Sequence, residues 1–138
     1  MNKNDQPSTN MRILMVDDNS RNLNVLFDIL KGKGYELSAA TSGEMALKAA
    51  TNFLPDLILL DIMMPGINGF ETCTKLKSDP VTENIPVIFL SAKVDTEDIV
   101  KGFQVGGVDY ITKPFNHEEF LVRIRTQLLL REKTKKLE

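Results

Sequence analysis

Five short apolar runs, separated by segments with helical spacing, constrain the fold of this chain more than any other sequence feature. The runs are Arg12–Val16, Tyr35–Ala40, Asp56–Leu60, Pro86–Leu90 and Val108–Ile111. Near-continuous apolar runs of this length are typical of strands that helices cover on both faces. Strands that alternate with helices through short connections favour a parallel sheet with right-handed crossovers. We therefore predict an α/β domain with a doubly wound, five-stranded parallel sheet, for which we choose the order 2-1-3-4-5, and with helices on both faces.

The last helix decides where the domain ends. We predict that it begins near Asn116 and turns four apolar residues towards the sheet, namely Phe120, Leu121, Ile124 and Leu128. The segment REKTKKLE that follows has no apolar face, so we predict a solvated tail or a helical extension over residues 131–138, with little support for a coiled coil. Residues 1–10 show no periodicity and are predicted to be disordered, which leaves residues 11–130 as one domain.

The bulk composition excludes several classes of function. The chain has 138 residues with 17 Lys and Arg against 19 Asp and Glu, so it offers no large basic field for nucleic acid or anionic lipid. No apolar run approaches the roughly 20 residues that span a bilayer, and the N-terminus lacks the apolar core of a secretion signal. The single cysteine, Cys73, cannot form an internal disulfide, and we expect it in the core on a helix. These features predict a cytoplasmic domain without direct contact to nucleic acid or membrane.

Polar side chains follow or close four of the predicted strands. The first strand is followed by Asp17 and Asp18, the third by Asp61, the fourth by Ser91 and the fifth by Lys113. Ligands of open parallel sheets bind at the carboxyl ends of the strands, near the point where the strand order reverses. Because all parallel strands end at the same edge, we expect these side chains to converge on one small area.

The predicted carboxylate cluster needs a cation, because three carboxylates in close contact repel one another and one would otherwise hold a proton. Mg²⁺ prefers oxygen ligands and leaves positions open for water and phosphate oxygens, so Asp17 or Asp18 with Asp61 forms a suitable but incomplete cage. A carboxylate can also act as the nucleophile in phosphoryl transfer. We therefore predict Asp61 as the nucleophile, with Lys113 and Ser91 binding the phosphoryl oxygens.

Four motifs carry a resemblance to a known family. LMVDDN, LLDIMMPGINGF, FLSA and DYITKPF resemble the motifs of response-regulator receiver domains from two-component systems, over residues 11–130. The resemblance implies a flavodoxin-like fold, with Asp17 and Asp18 as the acidic metal pair. It also implies Asp61 as the phosphoacceptor and the Met63 backbone carbonyl as a further Mg²⁺ ligand, with Mn²⁺ as a substitute ion.

The same resemblance implies a two-state switch. Ser91 moves towards the phosphoryl oxygens, and Tyr110, three residues before Lys113, turns inward into the vacated space. The face of helix 4, strand 5 and helix 5 then changes shape and controls a protein output partner or effector domain, or supports a homodimer. The implied phosphoryl donor is a histidine kinase or a phosphotransfer protein. Lys113–Pro114 is often a cis bond in this family, and Met63 and Lys93 are expected to influence the lifetime of the phosphoaspartate.

Each of these residues alone has a plainer interpretation. Alone, the acidic pair would be helix-entry residues, Asp61 and Ser91 turn residues, and Lys113 a solvated charge. Tyr110 could simply pack at the edge of the core, since only the family pattern makes it a switch. The joint occurrence of these residue types at four parallel strand ends favours the site.

Three other functions share parts of the pattern. A phosphatase of the haloacid dehalogenase type uses an Asp nucleophile, Mg²⁺ and a Lys, but it needs a second Asp where this chain has Met63. A flavodoxin-type electron carrier shares the topology, yet Asp17 and Asp18 would repel its cofactor phosphate. A degenerate receiver that only docks proteins would not need the intact acidic set. The sequence therefore favours a signalling phosphoacceptor that assists only its own phosphorylation and dephosphorylation.

Overall fold

The computed structural model describes residues 10–137, within which five strands alternate with five helices. The strands are β1 (Arg12–Val16), β2 (Glu36–Ala40), β3 (Leu57–Asp61), β4 (Val87–Ser91) and β5 (Asp109–Thr112). The helices are α1 (Ser20–Leu30), α2 (Gly43–Phe53), α3 (Gly69–Lys77), α4 (Thr96–Gln104) and α5 (His117–Leu137). The predicted disorder of residues 1–10 falls, apart from Asn10, outside the described residues.

All neighbouring strands pair in parallel, in the order β2-β1-β3-β4-β5. The predicted doubly wound α/β fold is therefore confirmed. The later four strands begin one residue after the predicted runs, and β3, β4 and β5 also end one residue later. The reason is that backbone hydrogen bonds, and not apolar character, set the ends of a strand. Asp61 still pairs with Leu90, and Ser91 still pairs with Thr112.

The core forms two layers, one on each face of the sheet. Leu57 and Leu59 of β3 pack in the layer beneath α1 and α5, whereas Ile58 and Leu60 pack in the layer beneath α2 and α3. All four side chains are fully buried. Successive side chains of a strand point to opposite faces, so a strand that is covered twice needs an unbroken apolar run. The predicted core position of Cys73 is also confirmed, since it is buried in α3.

Helix α5 continues beyond the part that packs on the sheet. Its Ile124 and Leu128 are fully buried in the domain core, so they are not available as the seam of a coiled coil. The segment that was predicted to be solvated is helical as far as Leu137, and two of its side chains reach the domain. Arg131 donates to the Asn84 carbonyl at 3.2 Å, and Lys135 donates to Asp56 at 2.8 Å. The long aliphatic part of an arginine or lysine side chain lets its charged group reach a distant partner. Such a contact leaves no periodic pattern in the sequence. In residues 10–137 no helix combines the length and the apolar character that crossing a membrane requires.

Asp56 is the buried anchor for this extension, and its loss should destabilise the domain. Its Oδ2 accepts a hydrogen bond from the backbone N–H of Arg12 at 2.8 Å. Its Oδ1 accepts a hydrogen bond from the Lys135 ammonium. Asp56→Ala leaves the partly buried backbone N–H of Arg12 without its acceptor, so we expect the free energy of unfolding to fall by about 1 to 3 kcal/mol. Urea denaturation measures this loss. Asp28→Ala, which removes only an exposed pair with Lys31, is the matched control with an expected loss of no more than about 0.5 kcal/mol. Equal losses in the two variants would contradict the anchoring role.

Candidate functional site

Three charged side chains meet at the carboxyl edge of the sheet. Asp17 follows β1, Asp61 closes β3 and Lys113 follows β5. The Lys113 Nζ lies 3.3 Å from Asp17 Oδ2 and 3.9 Å from Asp61 Oδ1. One ammonium is therefore shared by two carboxylates that belong to different strands.

The third predicted carboxylate, Asp18, joins the same cluster. One oxygen from each of Asp17, Asp18 and Asp61 lies within 4.8 Å of the others. Asp17 and Asp61 are 2% and 8% exposed, whereas Asp18 is exposed. This arrangement of hard oxygen donors could hold a metal ion, with one side open to solvent.

Both oxygens of Asp17 are held by the start of α1. The Asn19 backbone N–H donates to Oδ1 at 2.9 Å, and the Asn22 side-chain amide donates to Oδ2 at 3.1 Å. Asn19 also caps the helix, because its side chain accepts from the backbone N–H groups of Arg21 and Asn22. Asn19 is thus the capping residue of this helix, while Asp17 is turned towards the site.

The pKa of Asp61 is raised. Burial raises it from the ordinary value of 3.8 to about 6, and the neighbouring charge of Asp17 acts in the same direction. The Lys113 ammonium and the Ile62 N–H, which donates to Asp61 Oδ1 at 2.9 Å, oppose this rise without cancelling it. Asp61 therefore lies in a site with an excess of negative charge that a cation would relieve.

The loop after β3 approaches Asp61 closely because of Gly69. Its backbone N–H donates to the Ile62 carbonyl at 2.9 Å, and a Cβ at this position would collide with the Asp61 carbonyl oxygen. Gly66 in the same loop has a φ of +77°. Both glycines allow the close turn between β3 and α3. Met63, also in this loop, exposes 61% of its surface.

Ser91 and Tyr110 both contact the loop between β4 and α4. Ser91 is 1% exposed, and its Oγ accepts the Lys93 N–H at 3.1 Å. The Tyr110 hydroxyl donates to the Lys93 carbonyl at 2.8 Å and the side chain is buried, so the ring is already inward, and a turn from an outward position stays a prediction. Burial raises the pKa of Tyr110, although a hydrogen bond with Ser91 offsets part of the rise. The Lys113–Pro114 bond is cis, as the family resemblance implied.

Sequence reasoning missed the contact between Asn22 and Asp17. Asn22 was not assigned to the site, because an asparagine near a helix start is ordinarily a capping or surface residue. The only sequence signal is its place in the first turn after the acidic pair. A side chain there can fold back onto the loop, but only the direction of α1 decides whether it reaches Asp17.

The fold and the site together define a doubly wound α/β protein with an acidic site and a lysine at the carboxyl edge of its sheet. A family model described as the response regulator receiver domain matches residues 13–125. The chain therefore belongs to the response regulator receiver family of two-component systems, as its motifs predicted.

Individual relatives agree with this assignment. The chain is 41% identical over 117 residues to the DNA-binding response regulator MtrA of Mycolicibacterium paratuberculosis, a match that covers 85% of the chain and 51% of MtrA. It is 44% identical over 115 residues to the response regulator PleD of Caulobacter vibrioides, covering 83% of the chain and 25% of PleD. A solved receiver domain protein (CheY-like) from Methanospirillum hungatei superposes with a TM-score of 0.83 at 30% identity, covering 92% and 99% of the two chains. The chain thus spans about half the length of MtrA.

Asp61→Asn should stabilise the protein at neutral pH when no divalent ion is added. The pKa of Asp61 is higher in the folded state, so between about pH 4 and pH 6 the folded state binds more protons than the unfolded one. The contribution of this group to stability therefore falls as the pH rises through that window. We expect the variant to exceed wild type by about 2 to 3 kcal/mol in the free energy of unfolding at neutral pH, and by little below about pH 4.

Urea denaturation at both pH values measures this difference. Asp28→Asn, at an exposed acid of α1 whose side chain pairs with Lys31, is the control and should differ from wild type by no more than about 0.5 kcal/mol. A gain for Asp61→Asn that stayed the same at both pH values would show that the charge of Asp61 is not its source.

Proposed function

We propose that this domain accepts a phosphoryl group on Asp61, with Mg²⁺ bound beside it, and that the phosphorylated form is a signal. The observation that carries the proposal is the single Lys113 ammonium between the buried carboxylates of Asp17 and Asp61. An aspartate nucleophile needs nearby positive charge, because negative charge spreads over the transferring group. The domain is in this view a signalling phosphoacceptor that assists only its own phosphorylation and dephosphorylation.

The residues of the site divide the chemistry between them. A carboxylate oxygen of Asp61 attacks phosphorus, and the bond from phosphorus to the donor's imidazole nitrogen breaks. Lys113 lies 3.9 Å from Asp61 Oδ1, close enough for its ammonium to pair with a phosphoryl oxygen after a small movement. Ser91 supplies a hydroxyl as the hydrogen-bond donor to another phosphoryl oxygen. Transfer then depends on positioning and charge, and no further protein base is required.

Mg²⁺ fits the donor set of this site. The three carboxylate oxygens within 4.8 Å are hard ligands, and Lys113 alone does not balance the charge of three carboxylates. We assign Asp17, Asp18, Asp61 and the Met63 backbone carbonyl as the protein ligands, and Mn²⁺ as a substitute ion. When bound, the ion would neutralise these carboxylates and screen the charge of the phosphoryl oxygens.

The phosphoryl group is proposed to act on the loop between β4 and α4. Ser91 and Tyr110 both hydrogen bond to Lys93 in this loop, so a movement of Ser91 towards the phosphoryl oxygens would disturb the Tyr110 contact. Tyr110 also packs against α4, where a Cβ on Gly102 would lie 3.0 Å from its ring. These contacts support a switch that changes the face of α4, β5 and α5, with Ser91 and Tyr110 as its moving parts.

The proposed partners follow from the family. The phosphoryl donor is a histidine kinase or a phosphotransfer protein, and the switched face controls a protein partner or an effector domain, or pairs two copies of the domain. MtrA is named as a DNA-binding regulator, but the balanced charge of this chain argues against direct nucleic-acid contact by the receiver domain itself. We place the receiver domain at residues 11–130 and a helical extension at residues 131–137, and we propose a cytoplasmic protein without membrane contact.

Incubation with acetyl phosphate and Mg²⁺, followed by intact-mass measurement, tests the phosphoacceptor. We expect wild type to gain one phosphoryl group and Asp61→Asn to gain none, because the nucleophilic oxygen is lost. Asp56→Asn is the matched control, since Asp56 is equally buried but is bonded to Arg12 and Lys135. It should be phosphorylated like wild type, and omission of Mg²⁺ should prevent the gain in every sample. An equal gain in Asp61→Asn would move the acceptor elsewhere, and steady turnover of p-nitrophenyl phosphate would favour a phosphatase.

Ser91→Ala should uncouple phosphorylation from the switch. The variant loses the hydroxyl that would bind a phosphoryl oxygen, but it keeps Asp61 and Lys113. We expect phosphorylation to continue while the NMR signals of Tyr110 and the α4 backbone stay close to their positions before phosphorylation. Ser91→Thr keeps the hydroxyl and should shift these signals as wild type does. A fully phosphorylated Ser91→Ala protein that still shows the wild-type Tyr110 change would remove Ser91 from the coupling.

A further inference from the structure

We propose that Asn22 is a positioning residue for Asp17. It keeps Asp17 in place while the Lys113 ammonium leaves its ion pair with Asp17 and pairs with the phosphoryl group. The inference rests on the proposed function, in which Lys113 pairs with a phosphoryl oxygen. The juxtaposition that carries it is two donors on one buried oxygen: the Asn22 amide at 3.1 Å and the Lys113 ammonium at 3.3 Å from Asp17 Oδ2.

The need for a second donor follows from burial. Asp17 is 2% exposed, so water does not freely replace a partner that leaves one of its oxygens. Oδ1 keeps the Asn19 backbone N–H, which the start of α1 holds in place. Oδ2 would lose its charged partner as soon as Lys113 turned towards Asp61, and an unpaired buried carboxylate oxygen is destabilising. The Asn22 amide remains bonded to Oδ2 through this exchange.

Asn22 is suited to this task by its charge and by its position. Its amide is neutral, so it orients the carboxylate without competing with a bound cation for it, as a second lysine would. It lies in the first turn of α1, where its own backbone N–H donates to the Asn19 side chain at 3.3 Å. Leu23 and Leu26 fix the helix in the core. The amide is therefore held by the fold and does not depend on the movement of Lys113.

The surroundings of Asp17 on the side of α1 offer no substitute donor. A cavity of about 70 Å³ touches Asp17, Asn22 and Lys113, and its other walls are the apolar side chains of Val25, Leu26, Leu90 and Phe115. These walls offer no hydrogen bond to an ammonium or to a carboxylate. Apart from Lys113, Asn22 is therefore the lining residue that supplies a side-chain hydrogen-bond donor to Asp17.

The test compares Asn22→Leu with Asn24→Leu. Leucine has a similar size and lacks the amide, and Asn24 is an exposed asparagine of the same helix. We expect Asn22→Leu to weaken Mg²⁺ binding, measured by isothermal titration calorimetry, by about tenfold, as is usual when a ligand loses its supporting hydrogen bond. At saturating Mg²⁺ its phosphorylation by acetyl phosphate should also be several-fold slower, because Lys113 stays on Asp17. Asn24→Leu should match wild type in both measurements. Asn22→Ala serves the same purpose if the leucine variant does not fold.

A double-mutant cycle with Lys113→Ala separates positioning from a general loss of structure. If Asn22 and Lys113 act through the same oxygen, the fold-changes in Mg²⁺ affinity will not multiply. Independent, multiplying effects, or wild-type affinity and rate in Asn22→Leu, would overturn the proposal. If wild type itself gains no phosphoryl group on Asp61, the proposed function fails. If wild type is phosphorylated and Asn22→Leu is indistinguishable from it, only the role of Asn22 fails.

Discussion

The single ammonium of Lys113 faces the two buried carboxylates of Asp17 and Asp61. The negative charges outnumber the positive one, and the rest of the site is arranged around this excess. The parallel sheet is its cause, because all strands end at the same edge and bring distant residues together there. Burial disfavours the charged form of Asp61, and the neighbouring charge of Asp17 adds to this effect, so the pKa of Asp61 rises to about 6. A site with this excess of negative charge is suited to a divalent cation and, with it, to an anionic phosphoryl group.

The opposite edge of the sheet holds another buried aspartate, which has a different set of partners. Asp56 is buried there, yet one of its oxygens accepts the Arg12 N–H and the other accepts from Lys135. Asp61 accepts the Ile62 N–H and shares its ammonium with Asp17. The supply of donors therefore differs between the two: each oxygen of Asp56 has its own donor, one of them from α5, whereas Asp61 shares its ammonium with Asp17.

The loop between β4 and α4 contacts residues near the charged site and residues near helix α4. Ser91 at the end of β4 and Tyr110 in β5 meet at the backbone of Lys93, and the Tyr110 ring continues the contact to Gly102 in α4. In the proposed switch, a change at Ser91 would reach the helix through these contacts. The start of α1 contacts Asp17 directly, because Asn19 and Asn22 each donate a hydrogen bond to one of its carboxylate oxygens.

The sequence by itself determined the five strands, their parallel pairing and the polar residues at their ends, because continuous apolar runs report burial on both faces and the motifs identify the family. It did not determine the ends of β3 and β4, because the backbone ladder runs past the last apolar residue. Nor did it reveal the hydrogen bond from Asn22 to Asp17. The hydrogen bond from Lys135 to Asp56, which joins residues 79 positions apart, was also not predicted. Only the tertiary structure decided these contacts, since they depend on the direction of a helix and the reach of a polar side chain, neither of which leaves a periodic pattern in the sequence.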